Sequence, residues 1–320
     1  DISNEDLIPE ETRVLTISRT GYAKTQPLEE YREQRRGGQG KAAASVKEED
    51  VIQNLYVLSS HSQMLCFTTK GKVYWLKVYE VPVASRTSKG RPLVNMLNLD
   101  DDEKVSDILP VDEFSEDRYV FMATRKGTTK KTQLSFFAKK YKSGIKAINL
   151  DADDELIGSA ITNGEDEILL ASSAGKLIRF SEKKVRPMGR TARGVRGMRI
   201  KQDQQIISLM VANNEKEILC VSENGFGKKT SVDDFPTHNR GGQGVISIKT
   251  SERNGLMVAS TLVDNNDGIM LISDKGTMIR TSAEQIPTIS RNTQGVKIIT
   301  PKEGEKILEC VRIDPEDEEE

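Results

Sequence analysis

The stretch EILLASSAGKLIRF, residues 167–180, contains the pattern from which the fold can be predicted. A short apolar run leads to a glycine, and a run of alternating apolar and polar residues follows it. Glycine supplies the positive φ angle that tight hairpin turns require. The stretch therefore predicts two antiparallel strands that are joined at Gly175.

The same pattern recurs along the whole chain, with spacings of 50, 56, 48, 50 and 51 residues. The turn glycines are Gly21, Gly71, Gly127, Gly175, Gly225 and Gly276. A second glycine follows each of them after 19 residues, or after 17 in the third unit. This second set is Gly40, Gly90, Gly144, Gly194, Gly244 and Gly295. Further β-like runs follow each second glycine, so every unit supplies roughly four strands.

Six four-stranded repeats predict an all-β, propeller-like ring, because a closed ring protects the edges of its sheets. An open solenoid is the alternative geometry. Helical periodicity is slight throughout, so we expect little helix. Cys66 and Cys220 occupy the same, mostly apolar, strand position in their units, and we expect them to be core residues rather than reactive thiols.

The composition excludes several classes of protein. Three widely spaced cysteines and two histidines offer no metal-ligand spacing and no disulfide framework, which favours a reducing cytoplasm. No apolar run approaches the ~18 residues of a membrane span. No G-x-x-x-x-G-K-[ST] motif for ATP and no catalytic constellation is present. The chain begins at Asp1 rather than Met, so we expect a longer parent protein.

Positive charge is concentrated in one part of every repeat. The windows from each turn glycine to two residues beyond its second glycine hold 30 bases and 8 acids, and the rest of the chain holds 17 bases and 41 acids. In a ring, equivalent positions lie on one surface, so the windows predict a continuous basic stripe, as in proteins that bind nucleic acids. Acidic stretches such as DADDE (151–155), DDDE (100–103) and DNND (264–267) recur between units, and we interpret them as solvated turns rather than metal sites.

The string QRRGGQGK (34–41) is the most distinctive motif, and its RGGQG returns at 240–244, four repeat periods later. Glycines let backbone N–H groups approach an anion, and Arg35 and Arg36 can bind phosphate oxygens in bidentate fashion. A purely structural need for glycine is the alternative, and it weighs more in the second copy, which keeps only Arg240. The low aromatic content argues against a single-strand binder, and no recognition helix is visible. We therefore expect contacts with the backbone of duplex DNA.

The predicted DNA-binding residues are Arg35, Arg36, Gly37, Gly38, Gln39, Gly40, Lys41, Lys72, Arg86, Lys89, Arg91, Lys130, Lys131, Lys139, Lys140, Lys142, Lys176, Arg179, Lys183, Lys184, Arg186, Arg190, Arg193, Arg196, Lys228, Lys229, Arg240, Arg280 and Arg291. No catalytic or metal-binding residue is predicted.

The box and its approach, GYAKTQPLEEY (21–31), resemble the C-terminal DNA-wrapping domain of bacterial DNA gyrase A, whose hallmark is QRRGGKG in the first blade. The resemblance covers essentially the whole chain, with later degenerate boxes such as TARGVRG and RNTQGVK. It implies a six-bladed β-pinwheel with strand exchange between neighbouring blades. Gln39 departs from the family lysine and removes one positive charge, so a phosphate contact there is weaker or is made by Lys41.

The resemblance also implies a function. The domain would wrap duplex DNA in a right-handed sense and present it to the cleavage gate for negative supercoiling, with the box fastening the wrap against the last blade. The partners would be duplex DNA, the rest of the gyrase A homodimer and gyrase B, without a membrane. No cofactor is implied for this part, because ATP and Mg²⁺ serve the rest of an ATP-dependent type II topoisomerase, whose catalytic tyrosine lies outside this chain.

Two other functions remain open at this stage. A topoisomerase IV C-terminal domain would orient DNA crossings without strong wrapping, and a propeller-like scaffold would bind proteins and not DNA. We expect an acidic linker at 1–11, the pinwheel at 12–313 and an acidic tail at 314–320. The tail holds six acids and no base, and either competes with DNA for the basic surface or merely keeps the chain soluble.

Overall fold

Antiparallel strands account for most of the regular secondary structure in the described chain. The computed structural model describes residues 5–37 and 52–313, and of residues 34–37 it describes only the backbone. The strands up to residue 172 are β1 (Thr12–Ser18), β2 (Tyr22–Pro27), β3 (Ile52–Ser59), β4 (Gln63–Thr68), β5 (Lys72–Lys77), β6 (Arg91–Pro92), β7 (Val105–Val111), β8 (Tyr119–Thr124), β9 (Thr128–Gln133), β10 (Ile145–Lys146), β11 (Leu156–Thr162) and β12 (Glu167–Ser172). Those after it are β13 (Lys176–Ser181), β14 (Val195–Arg196), β15 (Ile206–Val211), β16 (Glu217–Ser222), β17 (Phe226–Ser231), β18 (Val245–Ile246), β19 (Met257–Val263), β20 (Gly268–Ser273), β21 (Met278–Ser282), β22 (Val296–Lys297) and β23 (Ile307–Ile313).

The predicted hairpins are confirmed in every unit. The turn glycines join β1 to β2, β4 to β5, β8 to β9, β12 to β13, β16 to β17, and β20 to β21. Gly175 has a φ angle of 77°, and a Cβ atom there would lie 2.2 Å from the carbonyl oxygen of Ile248. Both the turn and this close approach therefore require glycine.

Each of the first five blades takes its last strand from the next unit along the chain. The sheets have the orders β3-β1-β2-β6, β7-β4-β5-β10, β11-β8-β9-β14, β15-β12-β13-β18 and β19-β16-β17-β22, and the sixth is β23-β20-β21. The two-residue strands β6, β10, β14, β18 and β22, which we call the outer strands, form directly after the second glycines. The exchange implied by the family resemblance is thus confirmed.

The six blades close into a ring around the long strands. Consecutive inner strands contact each other from β7 through β11, β15 and β19 to β23, and β23 lies against β3. The Tyr56 hydroxyl on β3 donates a 3.2 Å hydrogen bond to the carbonyl of Ile108 on β7. An ion pair of 2.7 Å between Arg19 and Glu309 joins the first blade to the last. The ring geometry is confirmed, and the open solenoid is excluded.

Two details differ from the sequence expectation. A ten-residue helix, α1 (Leu28–Gly37), follows β2, with buried Tyr31 one turn after Leu28 and with acids in its first turn. The sixth sheet has three strands among the described residues, whereas each of the other five sheets has four. No helix in the described ranges is long and apolar enough to cross a membrane.

The hydrophobic core consists of clusters that lie between adjacent blades. Cys66 and Cys220 are fully buried within two of them, and burial raises the pKa of these thiols to about 12 and about 11 respectively. Both therefore stay protonated and unreactive at neutral pH. Their interpretation as core residues is confirmed.

Candidate nucleic-acid interface

The basic windows follow the outer edges of the blades. After each hairpin, the chain runs beside the second hairpin strand of the preceding blade, as the parallel bridges Arg179–Thr237 and Lys229–Thr288 show. It then turns back into the outer strand, which is the strand farthest from the ring axis. Together with the outer strands, these connections form what we call the perimeter: residues 78–90, 134–144, 182–194, 232–244 and 283–295.

Most of the predicted site residues that the structure describes present their charge on or beside the perimeter. The exposed ones are Lys89, Arg91, Lys139, Lys140, Lys142, Lys183, Lys184, Arg186, Arg193, Arg196 and Arg280. The half-buried ones are Lys72, Arg86, Lys176, Arg190, Arg240 and Arg291. These positive charges follow one another from blade to blade and can attract a polyanion that encircles the ring.

Five predicted contacts must be corrected, because the side chains are buried: Lys130, Lys131, Arg179, Lys228 and Lys229. All of them lie in the middle of a second hairpin strand, and the connection of the next unit covers them. Counting bases within each window could not reveal this, because the covering segment lies about 60 residues farther along the chain.

Two of these lysines hold the covering connection in place. The Nζ atom of Lys228 donates to the carbonyls of Ser290 at 2.8 Å and Arg291 at 2.5 Å, and to the carbonyl and hydroxyl of Thr293. The Nζ atom of Lys130 donates in the same way to the carbonyl of Arg190 in the next unit. Burial lowers the pKa of Lys228 to about 8 and that of Lys130 to about 7.

The other three form contacts inside or between the blades. Arg179 binds Glu167 at 2.8 Å and donates to the carbonyl of Val232 in the next unit. The Nζ atom of Lys131 donates to the carbonyl of buried Glu182 at 3.0 Å. Lys229 donates to the Asn265 side-chain oxygen at 2.7 Å. These side chains are therefore part of the scaffold and are not available to a phosphate.

Several surface cations already have protein partners. Arg193 forms two 2.6 Å contacts with Asp151, and Lys183 lies 2.5 Å from Glu165. Such exposed ion pairs contribute little to stability, so a phosphate can replace the carboxylate. Arg240 differs, because its guanidinium donates to two backbone carbonyls. These two hydrogen bonds attach the connection of the fifth unit to the carbonyls of Lys184 and Arg196 in the fourth unit.

Two exposed lysines, Lys146 and Lys297, were not among the residues predicted from the sequence. Both occupy the second position of an outer strand, where β14 has Arg196. The available signal was their register, because each lies two residues after a second glycine. Their side chains add to the basic perimeter.

The distinctive box falls largely outside what the structure describes. The backbone of Arg35, Arg36 and Gly37 forms the end of α1. Gly38, Gln39, Gly40 and Lys41 lie outside the described residues. Their predicted contact with DNA therefore stays a prediction.

The acidic turns are only partly solvated. Glu103 is buried and accepts hydrogen bonds from Thr68 and Tyr74, and Asp267 is buried beside Arg312. Interpreting these two as solvated was wrong, because they fasten the turns that contain them. Among residues 5–37 and 52–313, no group of three His, Cys, Asp or Glu side chains could hold a metal ion.

A family profile described as "DNA gyrase C-terminal domain, beta-propeller" matches residues 12–59, 62–112, 118–163, 166–213, 216–263 and 269–314. These segments correspond to the six units and cover most of the chain. The chain belongs to this gyrase domain family.

The DNA gyrase A protein of Salmonella typhimurium is 50% identical over 321 residues, covering 100% of this chain and 37% of that protein. Its counterpart from Escherichia coli K12 is 49% identical over 320 residues, with the same two coverages.

Solved structures agree on the gyrase-type fold. The crystal structure of the C-terminal domain of DNA topoisomerase IV superposes with a TM-score of 0.84 at 24% identity, covering 97% of this chain and 95% of that one. A DNA gyrase A C-terminal domain gives a TM-score of 0.70 at 23% identity, covering 95% and 100%. At these identities the likeness shows the fold alone, whereas the sequence relatives named above are gyrase A proteins. The chain spans about 37% of their length.

Proposed function

We propose that this domain binds duplex DNA without sequence specificity along the perimeter and wraps it in a right-handed sense. The observation that carries the proposal is the series of cations along the perimeter, which are exposed on the first, second, third and fifth blades and half-buried on the fourth. Phosphate contacts distributed in this way can offset the cost of bending DNA, which is about 1–6 kcal/mol for 40–90° over a short site. The wrap would present DNA to the cleavage gate of gyrase for negative supercoiling.

We also propose where the first-blade box acts. The connection of each later unit covers the outer edge of the preceding blade, whereas the outer edge of β21 has no strand partner within the described residues. Around the ring, the first unit follows the sixth blade, and β23 already lies against β3. The first unit would therefore be the one that covers the outer edge of the sixth blade. The box would fasten the wrap at this junction, as the family resemblance implies.

The wider setting follows from the gyrase relatives and is likewise proposed. Residues 1–11 would link the domain to the catalytic part of gyrase A, whose homodimer would act with gyrase B in the bacterial cytoplasm on the nucleoid. The domain itself would carry no catalytic group and need no cofactor, and the ATP and Mg²⁺ of the reaction would serve the rest of the complex.

The linking number of a plasmid tests the proposal. Nicked circular DNA is mixed with the protein, sealed with ligase, stripped of protein and resolved on a gel. We expect a positive shift that grows with protein concentration and falls steeply with salt, because neutralising ~8 phosphates gives a log–log slope near −7. Salt-sensitive binding without a shift would favour a DNA-orienting role of the topoisomerase IV kind. Absence of binding would favour the scaffold function.

A further inference from the structure

A shallow, open cleft lies on the perimeter, where the connection of the fifth unit meets the start of the connection of the fourth unit. It has a volume of about 470 Å³, and its lining residues are Ser181, Lys184, Thr237, His238 and Asn239. Two hydrogen bonds to backbone carbonyls hold its walls together. The His238 N–H donates to the carbonyl of Arg179 at 2.8 Å, and Nε of Arg240 donates to the carbonyl of Lys184 at 3.0 Å. The walls thus come from two neighbouring units.

Three polar side chains in this cleft are unused. Lys184, His238 and Asn239 are exposed, and none makes a side-chain hydrogen bond or ion pair with any other described residue. Neighbouring Lys183, by contrast, is paired with Glu165. An ammonium, an imidazole and a carboxamide can all donate hydrogen bonds. The cleft therefore contains three side-chain donors that have no hydrogen-bond partner among the described residues.

No carboxylate lines the cleft, although acidic groups lie nearby. Glu167 accepts a 2.7 Å hydrogen bond from the Thr237 hydroxyl behind the lining and is paired with Arg179. That pairing lowers the pKa of Glu167 and keeps its charge compensated. Asp233 and Asp234 lie on the turn that leads into the cleft. The donors themselves are therefore free to receive an anion.

We infer that this cleft is a subsite for one phosphate group and that it receives a backbone phosphodiester of the bound duplex. The inference rests on the proposed DNA binding. It adds a site at which several side chains would hydrogen-bond one phosphate, whereas elsewhere on the perimeter single charged side chains would attract the DNA. A phosphodiester has only acceptor oxygens exposed, which matches a cleft that offers donors. The cleft is also roomy enough for the sugar carbons on either side of the phosphate.

The two histidines of the chain give a direct test by NMR. The imidazole C–H signals are assigned with His238→Gln and His61→Gln, because each variant removes one signal. We expect a 20-base-pair duplex to shift the His238 signal at near-stoichiometric protein. The His61 signal should shift less, since that ring is half-buried, with Nε2 against the carbonyl of Ile8 and its edge against Tyr79.

A pair of lysine variants measures the energetic contribution. Lys184→Gln should weaken duplex binding about 3–10-fold and reduce the salt slope by roughly 0.9, the effect of one lost phosphate contact. Lys201→Gln is the matched control. It removes an equally exposed charge from a turn outside the perimeter, and its affinity should change less than about 2-fold.

The outcomes separate this inference from the proposed function. If the duplex binds and the His238 signal does not move, the subsite is wrong while DNA binding stands. If inorganic phosphate shifts that signal below about 1 mM and the duplex does not, the cleft binds free anions and the assignment to DNA is wrong. If the duplex does not bind at all, the proposed function and the subsite are both refuted.

Discussion

Replacing Lys228 by methionine removes the ammonium around which the connection of the sixth unit is folded. The change removes one donor from the carbonyls of Ser290, Arg291 and Thr293, of which the first also accepts from the Thr293 hydroxyl and the last from the Lys249 N–H. A hydrogen bond from a charged donor contributes about 1.5–3 kcal/mol, and losses around one ammonium are not additive. We therefore expect the free energy of unfolding to fall by about 1–3 kcal/mol, the cost of leaving a buried acceptor unpaired.

The variant should still fold, because isoleucine occupies the equivalent position in two other units, as Ile178 and Ile279. The measurements are the urea midpoint and the affinity for a duplex at low temperature, where the variant is folded. We expect a lower midpoint and an affinity within about 2-fold of the original protein, since Lys228 is buried and does not face the ligand.

Arg186→Met is the matched control for this experiment. Arg186 is exposed on the perimeter and makes no side-chain contact with any described residue. Its replacement should change stability by less than about 0.5 kcal/mol and weaken DNA binding with a shallower salt slope. If Lys228→Met leaves stability intact and weakens DNA binding instead, the assignment of Lys228 to the scaffold is refuted.

Three further predictions concern the scaffold and the perimeter. Burial raises the pKa of Asp107 to about 7, above the unfolded value, so stability should fall as pH rises from about 4 to about 7, and Asp107→Asn should remove this part of the pH dependence of the urea midpoint. Gly244→Ala should destabilise by more than about 2 kcal/mol in the same assay, because Gly244 has a φ of 74° and its new Cβ would lie 2.5 Å from a carbonyl oxygen, whereas Gly242→Ala should be neutral. Lys297→Gln should lower duplex affinity about 3-fold in a binding titration at low salt, and an unchanged affinity would remove the outer strands from the interface.

The repeat made the ring predictable, and the same repeat concealed part of the site. Turn glycines and second glycines recur in register, so the hairpins, the six units and the position of the perimeter could all be derived from the sequence. Lys130 and Lys131 were misassigned for a physical reason. A strand position shows which residue is present but not which distant segment covers it, and strand exchange supplies that cover from the next unit.

The helix α1 was missed because a single turn of apolar spacing, Leu28 and Tyr31, is too short to stand out against a sequence with a strand period. Glu103 and Asp267 were misjudged because a cluster of acids gives no sign of which member turns inward. The burial of Glu103 and Asp267 depends on partners that are distant in the sequence, and local sequence propensity does not reveal such partners. The basic perimeter could be predicted, because cations that recur in register lie on one surface. The role of individual cations could not be predicted where they bind the segment that covers the neighbouring blade.

The junction between the first and last blades differs from the others in how it is held. Each of the other junctions has an exchanged outer strand that pairs with the preceding blade. At the closing junction, the described contacts are the packing of β23 against β3 and the ion pair of Arg19 with Glu309, whose side chains are 26% and 42% exposed. An ion pair with this exposure contributes about 0–1 kcal/mol, much less than an exchanged strand with its backbone hydrogen bonds. Among the described residues, the contacts at this junction are therefore weaker than those at the other five, so that fastening by the box, where it is proposed to act, would have its largest effect there.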